Sequence, residues 1–362
     1  MTDPFVKAKE SLLASGLPLE LSVERRLRRM GFQNVTADFS YWRRSEVGHK
    51  DFSVDIRASR SLATPWVTEA DNYNSPLNAY ATWDVLIECK YRKPNVKWLF
   101  APMPPPLPSQ WLPERHSHFF FNGRGQFRLG SNEAGHLDVL TKQQRETTES
   151  SPEAPPIAYV TRGVEMRPAS GGNHDANDDA FSAPIKRGVY QLQFAHVPRL
   201  NTALADVGLM RWVSESQYAP RQAHIHISTL VLVTTAELWT FLRDVDLEDI
   251  EKAASLKDIA EQVNAVEYAT VASRELRAHQ QEWLTAMERQ MSFGPPEHEP
   301  SRRQLWQTVT NLVVGASPSV FIVNTHQLEA TLEHQKSALQ QTIHNLMEVV
   351  AREKGFIIRP GR

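Results

Sequence analysis

The sequence predicts an α/β fold, with helices flanking a central sheet, on three observations. Near the amino terminus Leu19, Val23, Leu27 and Met30 recur at i, i+4, i+8 and i+11, the single apolar face of an amphipathic helix. Val85-Leu86-Ile87 and Leu230-Val231-Leu232-Val233 are apolar runs of buried-strand length. From about Gln327 to Lys354, Leu328, Leu332, Leu339, Ile343, Leu346 and Val350 fall near helical spacing, which suits packing against a sheet or a dimer surface.

Composition narrows the class. A chain of 362 residues can bury a sizeable core as one large domain or two. Its formal net charge of −2 excludes a protein coated in basic surface, so any nucleic-acid contact has to come from a local patch. One cysteine excludes an intrachain disulfide framework and fits a reducing compartment. No apolar run approaches the roughly 20 residues that span a bilayer. Met1-Thr2-Asp3-Pro4 does not begin a signal peptide, so a cytoplasmic protein with no membrane contact is expected.

Taken in order, residues 5 to 30 read as helical with a break near Ser15-Gly16, and Pro18 suits the first turn of the second piece. Glu20 and Glu24 lie one turn apart beside its apolar face. Arg25-Arg26-Leu27-Arg28-Arg29 offers them ion-pair partners, or offers a nucleic acid phosphate contacts. Gly31 ends the helix, and Phe32 to Arg44 alternates through Val35, Ala37, Phe39 and Tyr41 as a strand. Gly48-His49 turns it back into a second strand, Lys50 to Ala58. Residues 59 to 82 are rich in Ser, Thr, Asn and Pro and are expected to interrupt the sheet as a loop or short helix before the strand at Trp83.

After Arg92, Trp98-Leu99-Phe100 leads into Pro102, Pro104, Pro105, Pro106 and Pro108, a run expected to cross the surface in extended form. Asn122-Gly123 between Phe119-Phe120-Phe121 and Gln126-Phe127-Arg128-Leu129 predicts a hairpin. Residues 143 to 184 are expected to be loop and partly disordered. A helix is expected over Ile185 to Leu204 and a strand over Ile225 to Thr235. Ala236-Glu237-Leu238-Trp239 is expected to begin another helix, and Leu247 to Gln290 to continue as helix. Ser319 to Asn324 reads as a short strand. The chain thus divides into residues 1–92, 93–184 and 185–362.

Chemistry concentrates in Glu88-Cys89-Lys90. Side chains two apart on a strand leave the same face, so a carboxylate and an ammonium stand together there, and Asp55 joins them if the two strands pair. Cys89 then points the other way, as a small core residue. Asp followed by Glu-x-Lys suits metal-dependent phosphodiester hydrolysis. Hard oxygen ligands hold a magnesium ion that neutralises charge on the phosphate, from the carboxylates of Asp55 and Glu88 and the backbone carbonyl of Cys89. Lys90 positions and helps deprotonate water, or steadies the phosphate.

Asp55 with Glu88-Cys89-Lys90 resembles the active site of the PD-(D/E)xK, or restriction-endonuclease-like, nuclease superfamily. Gly16-Leu17-Pro18-Leu19-Glu20-Leu21 through Leu27-Arg28-Arg29-Met30-Gly31-Phe32 resembles the first helix of archaeal Holliday-junction resolvases and related restriction-type nucleases. Val54 stands where the motif has proline, and the resemblance covers residues 16 to 92. It implies a mixed sheet in αβββαβ order, with residues 93–184 inserted and helices appended at the carboxy terminus. It implies an endonuclease that needs Mg2+, with Mn2+ able to substitute, and acts on DNA rather than RNA in restriction, phage defence or repair, as a homodimer or with a partner subunit. Glu20 would reach the metal through water, and Lys186, Arg187 or Gln191 would lie near the scissile phosphate. Two other classes remain open: a catalytically silent module that keeps the fold to bind nucleic acid or protein, and a structural subunit whose acidic site is a satisfied ion pair.

Rival motifs are weaker. His224 and His226 share a strand face, as do His116 and His118, but neither pair has a third ligand at a metal-binding spacing, and both are expected to be exposed strand residues. The chain has no phosphate-binding loop of the Gly-x-x-x-x-Gly-Lys type and no Gly-x-Ser-x-Gly elbow.

Overall fold

The computed structural model describes residues 4–45, 48–62, 66–69, 72–102, 117–121, 127–129, 157–168, 174–175, 178–206, 222–242, 245–269, 272–289, 318–354 and 356–359, with isolated positions between 303 and 314. Helices α1 (Pro4–Ala14) and α2 (Leu17–Arg29) open the chain. Gly16 and Gly31 bracket α2 at φ 84° and 80°, backbone that a side chain resists, and so set where it starts and stops. Strands β1 (Gln33–Ser45), β2 (Gly48–Leu62), β3 (Trp66–Glu69) and β4 (Asn72–Lys90) follow. Next come β5 (Lys97–Pro102), β6 (Ser117–Phe121), β7 (Phe127–Leu129), β8 (Ala158–Pro168) and β9 (His174–Asp175). Helix α3 (Asp178–Asp206) leads to β10 (Gln222–Thr234) and β11 (Glu237–Phe241). Beyond them lie α4 (Leu247–Lys252), α5 (Leu256–Ile259), β12 (Ala260–Val263), β13 (Ala265–Tyr268), α6 (Arg274–Glu288), β14 (Val320–Asn324), α7 (Leu328–Lys354) and β15 (Phe356–Arg359).

The fold is mixed α/β. Strands pair in the order β1-β2-β4-β10-β14-β13-β8-β5-β11-β12. β1, β2 and β4 form an antiparallel run, and β10 lies parallel to both β4 and β14. Two cores sandwich this sheet. On one face Leu19, Val23 and Leu27 of α2 and Leu328, Leu332, Leu339 and Ile343 of α7 meet Trp83, Val85, Ile87 and Val231. On the other, Ile185, Val189 and Leu192 of α3 and Leu276 of α6 meet Leu86, Leu230, Leu232 and Val320. Strands buried on both faces read as unbroken apolar runs, which is why Leu230 to Val233 stands out in the sequence. Among the described residues no helix is long and apolar enough to cross a membrane.

Several expectations are overturned. The described residues between 59 and 82 are strand, not loop or short helix: β2 runs on to Leu62, β3 occupies Trp66–Glu69 and β4 begins at Asn72. Polar residues are tolerated there because cross-strand pairing satisfies the backbone whatever the side chains. Residues 143–184 are not all loop, since β8 pairs with β5 and β13 inside the main sheet and α3 begins at Asp178. Ala236 to Trp239 does not start a helix. Glu237–Phe241 is strand β11, paired with β5 and β12, and its Leu238 and Trp239 are buried in two different core clusters. Among the described residues of Leu247 to Gln290, helices α4 and α5 are followed by the short strands β12 and β13 before α6, an alternation that periodicity alone does not resolve. The expected hairpin forms by pairing of β6 with β7, and β6 continues onto β10. Pro104, Pro105, Pro106 and Pro108 lie outside the described residues.

Candidate functional site

Strand register brings the predicted site together. Ala37 pairs with Ile56 and Phe39 with Val54, which sets Asp38 opposite Asp55. Ile56 pairs with Ile87, which sets Asp55 opposite Glu88. Three carboxylates thus form one row across β1, β2 and β4, and partial burial, followed by the nearby Asp55 and Asp38 charges, raises the carboxyl of Glu20 on α2. Like charges placed opposite one another in a sheet are destabilising. The strands depart from regularity at this row. The β2–β4 ladder ends at Ile56, and Asp38 takes a left-handed backbone at φ 50°. Val54 and Ile56, two apart on one strand, fall into opposite cores, so the alternation of side chains breaks at Asp55. In that gap the Cys89 N–H donates to Asp55 Oδ2 at 2.6 Å.

Lys90 and Glu88 form an ion pair, and Lys90 Nζ also donates to Gln191 Oε1 on α3 at 3.4 Å. Glu88 is almost wholly buried, and its second oxygen, Oε2, has no hydrogen-bond partner. Burial, and then the neighbouring Asp55 charge, push its carboxyl up to about 7 against the opposing pull of Lys90. Burial likewise raises Asp55, with Asp38 adding to it, while the Cys89 N–H and Lys90 oppose the shift. Cys89 itself is buried in the α2-side core, and burial together with the surrounding carboxylates holds its thiol well above the usual range. It is the small core residue the alternation predicts.

The sequence missed Asp38, because only the register of β1 on β2 carries it to Asp55. Of the three candidates on the second helix, Gln191 reaches Lys90, whereas Lys186 and Arg187 are exposed. Glu24 pairs with Arg28 at 3.7 Å. Of the arginine cluster, Arg26 bonds the Thr325 carbonyl and Arg29 pairs with Glu329 of α7.

His226 is not an exposed strand residue. It is buried with Nε2 at 2.6 Å from Asp84 Oδ2, and the same oxygen pairs with Arg199 of α3. Asp84 lies four residues before Glu88 on the same strand, and Arg57 approaches its other oxygen at 3.9 Å. Burial alone would raise the Asp84 carboxyl, but the His226 hydrogen bond and the guanidiniums outweigh it and hold the group below its usual range. The side chains of His116, His118 and His224 lie outside the described residues.

The donor set at the row suits a hard divalent cation: carboxylate oxygens, one of them buried without a partner, and no soft ligand turned inward. Among the described residues no group of three His, Cys, Asp or Glu side chains closes on a single point. Asp55 is instead turned to a backbone N–H and Glu88 to Lys90. Comparison with protein-family models, with curated proteins and with solved structures finds no match for this chain.

Proposed function

We propose that the chain is a metal-dependent phosphodiesterase, an endonuclease acting on DNA, built on a restriction-endonuclease-like core. The observation that carries this reading is the convergence of Asp55, Glu88 and Lys90 where β2 parts from β4, with a buried Glu88 oxygen left without a partner. The succession α2-β1-β2-β4-α3-β10, with β10 parallel to β4, supports the αβββαβ core, and β3 and β5 to β9 are additions to it.

Asp55, Glu88 and the Cys89 carbonyl would hold Mg2+ or Mn2+, with Glu20 and Asp38 around them. When bound, the cation supplies charge neutralisation to the phosphodiester oxygens. To hold it, Asp55 would have to give up the Cys89 N–H and Glu88 its pair with Lys90, and Lys90, beside Gln191, would offer its ammonium to the phosphate or to the attacking water. Supercoiled plasmid, linear duplex and single strands incubated with Mg2+ or Mn2+ test this. Wild type is expected to cut, and Asp55→Ala and Lys90→Ala to lose about 100-fold or more. Equal cutting by wild type and both variants would sink the assignment.

A second reading, a structural subunit whose acidic site is a satisfied ion pair, is favoured by one observation: Glu88 already has a cationic partner in Lys90. It predicts no thermal stabilisation by Mg2+ or Mn2+ and no cutting by wild type with either metal.

A further inference from the structure

Two parts of the chain hold large apolar side chains out to solvent, and they bear opposite charge. The first is α1 with the outer side of α2. Phe5, Val6 and Leu12 of α1 and Leu17 and Leu21 of α2 are all exposed, and none of the described side chains of α1 is buried. A helix of 11 residues is marginal in water by itself, since packing of one face supplies most helical stability. Leu17, Leu21 and Arg25 stand at i, i+4 and i+8, one stripe turned away from the buried Leu19, Val23 and Leu27. Beside it lies an open groove of about 670 Å3, lined among the described residues by Pro18, Leu21, Ser22, Arg25, Arg28 and Arg29. Arg28 and Arg29 pair with Glu24 and Glu329, but Lys7, Lys9 and Arg25 make no ion pair among the described residues.

The second part is α4, a helix of six residues of which none is buried. It is held by the Asp246 and Asp249 capping box and by the pair of Lys252 with Glu248. Leu247, which is 71% exposed, Ile250 and Glu251 fall at i, i+3 and i+4, again one stripe, and Leu242 just before the helix is exposed too. Asp246, Glu248, Asp249 and Glu251 surround the single ammonium of Lys252 with an excess of carboxylates. Val245, Ala253 and Leu256, which flank the helix, pack with Leu99, Trp239, Ile259 and Ala260, a core separate from the one beneath α2.

Both stripes stay exposed in the folded chain, so neither covers the other within one molecule. Exposed apolar patches of this kind mark interaction sites. Setting α2 against α2 of another molecule would oppose cations, and α4 against α4 would oppose carboxylates, and like charges face to face cost affinity. Each stripe instead complements the other.

We propose that the α1–α2 surface binds α4 of a second copy of this chain, with Leu17 and Leu21 against Leu247 and Ile250, and Arg25 against Glu251. The contact is heterologous, because each molecule offers two different surfaces, so association continues past two copies into a ring or an open array. It does not depend on the phosphodiesterase reading.

The test is sedimentation velocity of the full chain over a concentration series. Wild type is expected to form species larger than a dimer. Leu21→Gln and Leu247→Gln each remove one apolar anchor and should weaken association about 30-fold with Tm unchanged, both positions being exposed. Mixed together, these two variants retain one intact pair of surfaces, so they should form dimers and nothing larger. Arg25→Glu and Glu251→Arg should each weaken association, and a chain carrying both should associate again, a recovery that a misfolded variant would not show. Where Leu21→Gln lowers Tm, this charge-swapped chain decides the matter. A wild type that stays monomeric at every concentration overturns the proposal and leaves both surfaces to other proteins. Association weakened by Leu21→Gln but by neither change on α4 also overturns it, and assigns the α2 surface to its own copy. So does a charge-swapped chain that stays monomeric while wild type associates.

Discussion

At the scale of single residues, Glu88 decides how the site responds to pH. Its folded value of about 7 lies above the ordinary 4.5, so between those values the folded chain without cation holds a proton that the unfolded chain has lost. Stability from this group is therefore greatest at low pH and falls as pH rises from about 4.5 to about 7. A cation must displace the same proton. Mn2+ affinity measured by calorimetry is expected to climb about tenfold per pH unit up to about 7 and then level off. Glu88→Gln should flatten that profile, and a pH-independent wild type would refute it. Asp38 gives a second residue-scale prediction. Asn tolerates the left-handed backbone that Asp38 adopts, so Asp38→Asn removes charge with little strain. It is expected to lower Mn2+ affinity about tenfold with Tm unchanged, and equal affinities would remove Asp38 from the site.

At the scale of elements, helix α3 links the site to the sheet. A Cβ at Gly188 would meet Leu232 Cδ1 of β10 at 2.7 Å, and Leu232 is itself fully buried, so the helix lies as close to the strand as glycine permits. One turn further on, the same helix presents Gln191 to Lys90, and its backbone carbonyl there accepts from the Tyr41 hydroxyl at 3.3 Å. Gly188→Val is expected to lift α3, costing roughly 2 kcal/mol by denaturant titration. It should also reduce cleavage more than Lys186→Gln, a change at an exposed position on the same helix. An unchanged midpoint would show that the helix can shift without loss.

At the scale of the whole molecule, Asp84 joins four elements: its own β4, His226 on β10, Arg199 on α3 and Arg57 on β2. Removing one partner of a buried ion pair strands the other, so Asp84→Ala is expected to cost about 3–5 kcal/mol. Replacing the pair together, Asp84→Leu with Arg199→Met, should recover most of that loss. Thermal unfolding of Asp84→Leu, Arg199→Met and the double variant checks this, and additive losses in the double variant would contradict it.

The sequence by itself determined the amphipathic face of α2, the apolar strands β4 and β10, the long α7 and the Glu88-Cys89-Lys90 spacing, because each is written in local periodicity that the structure keeps. Strand alternation also foretold that Glu88 and Lys90 share a face with Cys89 turned into the core. Only the tertiary structure decided which residues joined them. Asp38 reaches Asp55 through register, and Gln191 reaches Lys90 through the seating of α3 on β10. Those contacts link residues from 17 to 101 positions apart in the chain, as Asp38 with Asp55 and Lys90 with Gln191 show. No local pattern encodes such pairs, since a polar strand is held by backbone hydrogen bonds from its neighbours, and a buried charge is revealed only by the partners that surround it.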